Sequence, residues 1–117
     1  MNASFAAIQD FLVKGDLERA SDAFAQIRPG DKTSLEGLRL SAKIHLAARR
    51  FEQVDVLCRV LRKEYPDESS GFHLGAESLH RQGRTPEAIS LLRSRQPGVG
   101  NDETLKAIAR FEDGPMA

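Results

Sequence analysis

The sequence predicts an all-α fold, an array of three helix-turn-helix repeats closed by a seventh, capping helix. A 34-residue register recurs in chemistry: Gly15, Arg49 and Gly83; Ala20, Val54 and Ala88; Phe24, Cys58 and Leu92. Apolar stripes at helical spacing follow each of the three turns that this register aligns, and helix start and stop signals fall at the same boundaries. A fixed period of this length marks stacked helical hairpins, which bury a continuous core and present a long curved surface in place of an enclosed pocket.

The repeats span about 1–34, 35–68 and 69–100, the capping helix about 102–112, and a tail follows at 114–117; residues 1–113 are read as one domain. In the first repeat the turn Lys14-Gly15-Asp16 separates two helices. The second helix carries the stripe Leu17, Ala20, Ala23, Phe24, Ile27, and Pro29-Gly30 ends it, since neither residue continues a helix well. Thr33-Ser34-Leu35-Glu36 reads as a capping box opening the second repeat, with the Thr33 hydroxyl and the Glu36 carboxylate serving orphan N–H groups. Its turn is Ala48-Arg49-Arg50, its stripe Phe51, Val54, Leu57, Cys58, Leu61, and its stop Pro66-Asp67. In the third repeat the turn Gln82-Gly83-Arg84 leads to Thr85-Pro86-Glu87, where Thr85 caps, Pro86 loses nothing by lacking an N–H, and Glu87 meets the positive helix end. The stripe Thr85, Ala88, Leu91, Leu92, Arg95 degrades at both ends, as terminal repeats do, and Pro97-Gly98 closes it. Asn101-Asp102-Glu103 opens the seventh helix. Its apolar stripe is Leu105, Ile108 and Ala109, with Glu103, Lys106 and Arg110 elsewhere on the wheel, the design of a solvating cap.

Composition narrows the function. Seventeen basic and seventeen acidic residues cancel, and no third of the chain is basic enough to track phosphates, so nucleic acid is not an expected partner. The apolar stretches are interrupted by Gln9, Asp10 or Lys14, and the N-terminus lacks a charged-then-apolar signal, so no membrane partner and a cytoplasmic location are expected. Cys58, the lone cysteine, shares its slot with Phe24 and Leu92 and is read as a buried small hydrophobe. A nucleophile at Cys58 assisted by His45 would need an orienting group and an oxyanion site that the sequence does not supply. Phosphate-cradling loops, nucleophile elbows and paired-cysteine metal spacings are also missing, so the expectation is a non-enzyme without cofactors.

In register, the residues resemble the tetratricopeptide repeat family over roughly residues 1 to 100. Onto its large first slot fall Ser4, Leu38 and Phe72; onto the small slot Ile8, Ala42 and Ala76; onto the tyrosine-like slot Phe11, His45 and Leu79. The second helices add Ala20, Val54 and Ala88, then Phe24, Cys58 and Leu92. The chain departs from the pattern in having no Trp, a single Tyr at Tyr65, and the closing Pro in register only at Pro66, with Lys32 and Gly100 in its place elsewhere. The resemblance implies a right-handed superhelical array whose first helices line a concave groove. Its rungs would be Asn2, Glu36, Ser70; Phe5, Arg39, His73; Gln9, Lys43, Glu77; Leu12, Leu46, His80; and Val13, Ala47, Arg81. The binding set this implies is Phe5, Gln9, Leu12, Arg39, Lys43, His73, Glu77, His80 and Arg81. It pairs apolar anchors in the first repeat with cations in the second and third, and so fits a protein or peptide partner with acidic or carboxylate groups. Phe5, Gln9, Ser70 and Leu74 replace the polar clamp by which some family members hold a terminal carboxylate, which disfavours that ligand. The expected role is an adaptor or assembly scaffold; the alternative is a structural unit that self-associates through exposed helices.

His73, Glu77 and His80 share a helix face, but His73 and His80 stand roughly 10 Å apart along one helix, too far to share an ion. Arg39 and Lys43, in register with them, also oppose a cation, so no metal is expected. His45, in an aromatic core slot, is read as a packed histidine.

Overall fold

The computed structural model describes residues 4–95 and 101–113, and every regular element among them is helical. They are α1 Phe5–Val13, α2 Leu17–Ala25, α3 Pro29–Lys32, α4 Leu35–Ala47, α5 Phe51–Glu64, α6 Ser70–Arg81, α7 Thr85–Arg93 and α8 Asn101–Asp113. Asn2, Pro97-Gly98, Gly100 and the tail 114–117 lie outside the described residues.

The three aligned turns adopt one backbone geometry. Gly15, Arg49 and Gly83 are left-handed, with φ of 76°, 62° and 80°. In each, the next residue donates its N–H five residues back, Asp16 to Phe11 O (2.8 Å), Arg50 to His45 O (2.8 Å) and Arg84 to Leu79 O (2.9 Å). The left-handed residue itself donates three back, to Leu12, Leu46 and His80 O. This is a Schellman cap repeated every 34 residues, satisfying carbonyls that the helix end leaves unpaired. Arg49 accepts a conformation that a Cβ opposes by about 1–2 kcal/mol, and its guanidinium lies 5.5 Å from the Phe51 ring centroid.

Burial follows the same period. Ala20, Val54 and Ala88 are fully buried, as are Ile8, Ala42 and Ala76, and the stripes close on buried Ile27, Leu61 and Arg95. Cys58 is buried as expected.

The chain divides into two compact units, Met1–Leu57 and Cys58–Ala117, the division falling inside α5. In the first, α1 packs on α2 and α4 on both. Its core is Ile8, Ala20, Ile27, Leu40 and Ile44, with Phe5, Phe11, Leu12, Leu17, Ala23 and Phe24 half-buried against it. In the second, α6, α7 and α8 pack together around Ala76, Ala88, Leu92, Ile108 and Phe111. Each large aliphatic side chain taken out of water contributes roughly 1.5–3 kcal/mol.

Four local expectations are corrected. First, an additional one-turn helix, α3, forms at Pro29, where only a stop was expected. Proline presets its first φ, and Thr33 Oγ1 and Ser34 Oγ donate to Gly30 O (3.1 Å) and Asp31 O (2.6 Å), satisfying the carbonyls of so short a helix. Second, the cap of α4 is Ser34 rather than Thr33: its Oγ accepts from Gly37 N–H (3.2 Å), while Glu36 turns outward to Arg39 (3.3 Å). Third, Thr85 does not cap α7. Its hydroxyl lies 2.9 Å from His80 Nδ1, while Glu87 takes two hydrogen bonds from Arg84 at 3.0 and 2.5 Å, which hold its carboxyl below the usual range. Fourth, α8 turns a different face inward: Thr104, Ile108 and Phe111 are buried, whereas Leu105 and Ala109 are exposed. Phe111 brings more apolar area to the core than Ala109 does, and that difference sets the helix phase. In the slot of Ser4, moreover, there is no core contact, because its hydroxyl caps α1 by accepting from Ala7 N–H (3.1 Å).

The seam between α3 and α4 makes a prediction. A Cβ at Gly37 would overlap Asp31 O and stand 2.7 Å from Lys32 O, both backbone atoms that cannot swing away. Gly37→Ala should therefore cost about 1–3 kcal/mol by overpacking. Gly30→Ala, with open space around it, should stay within about 0.5 kcal/mol of the parent. Thermal unfolding followed by circular dichroism compares them, and equal midpoints for all three chains would refute the seam.

Candidate functional site

In the first unit the candidate residues occupy neighbouring helices. Phe5, Gln9 and Leu12 project from α1, and Arg39 and Lys43 from α4, one turn apart. Helix α1 is held at its start by the Ser4 cap and at its end by the Gly15 turn, and α4 packs against it through the shared core. Lys43 Nζ donates to Gln9 Oε1 at 3.3 Å, joining residues one period apart. Arg39 gives one guanidinium nitrogen to Glu36, and its Nε is buried without a partner. Phe5 and Leu12 pack on the core and are half-buried, so each offers only part of its surface.

His45, on the same helix α4, is only half-buried. It lines a cleft of 370 Å³ with Ser41, Glu52, Gln53, Val56 and Leu57, and its Nδ1 lies 3.4 Å from an Arg50 nitrogen. Burial, then the Arg50 charge, lowers its pKa. The packed-core expectation for His45 is thus met in part.

In the second unit the candidates His73, Glu77, His80 and Arg81 all lie on α6, and three of them meet α8. His73 Nε2 is 3.3 Å from Thr104 Oγ1. Glu77 Oε1 accepts from Arg110 at 2.7 Å while Oε2 accepts from Arg81 at 3.2 Å. The His80 ring stacks on Phe111 with centroids 4.5 Å apart and planes 24° from parallel. Burial opposes ionisation of Glu77, but Arg110 and Arg81 outweigh it and hold the carboxyl below its ordinary range. Burial lowers the pKa of His73; the Arg95 and Arg110 charges add to the effect and Glu103 opposes it.

Sequence reasoning missed Arg95, Thr104 and Phe111. Arg95 fills the slot of Ile27 and Leu61 and is nonetheless buried, its guanidinium donating to Thr104 Oγ1 (3.3 Å) and Asp67 O (3.4 Å). A long stem can pack in an aliphatic slot while the head finds acceptors. The signal was present, since the register placed an arginine where aliphatic residues stand.

Among the described residues no group of His, Cys, Asp and Glu is arranged to hold a metal, and no helix is long and apolar enough to cross a membrane. Comparison with family models, with curated proteins and with solved structures finds no match.

Proposed function

We propose that this chain is a non-catalytic protein-binding module of the tetratricopeptide type, a right-handed array of helical hairpins that acts in the cytoplasm as an adaptor or assembly scaffold. A peptide or helix with acidic side chains or a carboxylate docks on the first-helix faces, and the α1/α4 face is its principal anchor. One observation carries the reading. Among the described residues, Lys43 meets only the neutral amide of Gln9, and Arg39 shares one carboxylate while its Nε has no acceptor, so the face holds more cation than the anions described on it match. Phe5 and Leu12 beside them supply apolar contact. Charge-assisted hydrogen bonds from such a pair suit a carboxylate, and steering by the uncompensated charge favours anionic partners.

Arg39→Glu combined with Lys43→Glu should abolish capture of an acidic peptide partner at a stability cost of about 1 kcal/mol, because both residues are half-buried yet outside the core clusters. Parent binding should weaken with added salt. Pull-down from native lysate beside circular dichroism tests this; equal capture by a folded double variant refutes the face. The self-associating alternative draws on Val56, an exposed large apolar side chain on α5, and sedimentation of the parent chain distinguishes it.

A further inference from the structure

Helix α4 carries a second set of side chains on the side away from the α1/α4 face. Ser41 and His45 follow Arg39 and Lys43 by two residues, which turns them about 200° round the helix. They form one wall of the 370 Å³ cleft, and Glu52, Gln53, Val56 and Leu57 of α5 form the other. Ligand pockets span about 300–1,000 Å³, so a cleft of this size suits a small molecule or the end of a chain rather than a helix.

Two departures from the 34-residue register meet here. In the slot of His45 the other repeats hold Phe11 and Leu79, which pack against their cores. In the slot of Val56 they hold Asp22 and Ser90, both exposed, whereas Val56 is an apolar side chain left 56 % exposed. A polar ring stands where packing asks for an apolar one, and an apolar side chain stands where water asks for a polar one. Neither exchange improves the core or its solvation, and both line the same cleft.

The polar groups of the cleft have defined roles. Arg50 can only donate, so His45 Nδ1, 3.4 Å away, accepts from it and the ring proton sits on Nε2. Burial and the Arg50 charge disfavour a second proton. His45 is thus a neutral N–H donor, and among the described residues that Nε2–H meets no acceptor. Glu52 is the only charged residue of the lining; it is exposed, with no ion pair among the described residues. The cleft therefore offers an acceptor for a cation, a donor for a carbonyl, and the apolar surface of Val56 and Leu57. An apolar residue at a free amino terminus supplies the ammonium, the carbonyl and the side chain together.

We propose that this cleft is a binding site for the free amino terminus of a peptide whose first residue is apolar, with Glu52 taking the ammonium and His45 Nε2–H the first carbonyl. The site is separate from the α1/α4 face and has the opposite charge preference, so it does not rest on that reading.

Titration of the full chain with leucyl-alanine amide near neutral pH, followed by NMR at the His45 ring and the Val56 methyls, tests the site. A terminal amine with its ordinary pKa of about 7.7–8.0 is largely protonated there. Saturable shifts at both residues are expected. N-acetylation of the peptide removes a charge-assisted hydrogen bond and should weaken binding about tenfold or more, and Glu52→Gln should do the same. Val56→Ser and His45→Leu should each weaken it as well. Both install the residue that the third repeat holds in that slot, and circular dichroism verifies the folds. Should either fail to fold, Glu52→Gln, at an exposed position, decides alone. No saturable shift at millimolar peptide, equal binding of the acetylated peptide, or unchanged affinity in a folded Glu52→Gln chain overturns the proposal. Free leucine binding as tightly as the peptide overturns the assignment to a chain end.

Discussion

Leu92→Ala should destabilise the chain by about 2–5 kcal/mol, the range for removing a buried leucine and leaving a cavity. Leu92 has no solvent exposure and packs with Ala76, Ala88, Ile108 and Phe111. Small Ala76 and Ala88 lie where helices come close, so they cannot expand into the space a shortened Leu92 would vacate. Against a net stability of roughly 5–15 kcal/mol for a domain, this is a large fraction. The contrast is Leu105→Ala on the same unit. Leu105 is 55 % exposed, so its loss should shift stability by no more than about 0.5 kcal/mol. Urea denaturation of both variants measures the difference. Equal midpoints would mean that Leu92 is not a core residue and that the stripe in α7 is out of register.

Ending the chain after Gly100 should have a comparable or larger effect, because it removes Ile108 and Phe111 together. Truncating a buried phenylalanine alone costs about 3–5 kcal/mol. The deletion also strips Thr104 from buried Arg95 and Arg110 from Glu77, leaving a guanidinium in a low-dielectric site with one acceptor fewer. The uncovered core residues Ala76, Ala88 and Leu92 are apolar, and such patches drive association. Sedimentation velocity should show oligomers or loss of soluble protein. A truncated chain that stayed monomeric with the parent's unfolding midpoint would show that α8 adds nothing to the second core.

The period was legible because it is written in two independent signals, the turn residues and the apolar stripes. Gly15 and Gly83 announce left-handed turns, and Arg49 could be placed with them only by counting 34 residues, since its side chain alone argues against that conformation. Caps were less legible. Thr33 and Ser34 are adjacent and chemically alike, so the choice between them depended on α3, which a proline-glycine pair does not announce. The phase of α8 was ambiguous for a related reason: Leu105-Ile108-Ala109 and Thr104-Ile108-Phe111 are both helical stripes, and a threonine reads as polar until a partner for its hydroxyl is known. Of the candidate binding residues, those on α1 and α4 lie on neighbouring helices, with Lys43 hydrogen-bonded to Gln9 and with Phe5 and Leu12 packed against the core. Those on α6 were read without their neighbour, because nothing in local spacing shows that α8 folds back over them.

The Schellman turns carry a kinetic consequence. Each closes within six residues, and the helix pairs α1–α2 and α6–α7 that they join pack directly on each other. Little loop-closure entropy is spent before such contacts form. Chains dominated by short-range contacts fold on the microsecond-to-millisecond scale, and either hairpin can serve as the nucleus. The same locality lets one hairpin open and re-form without unfolding of the rest of the chain.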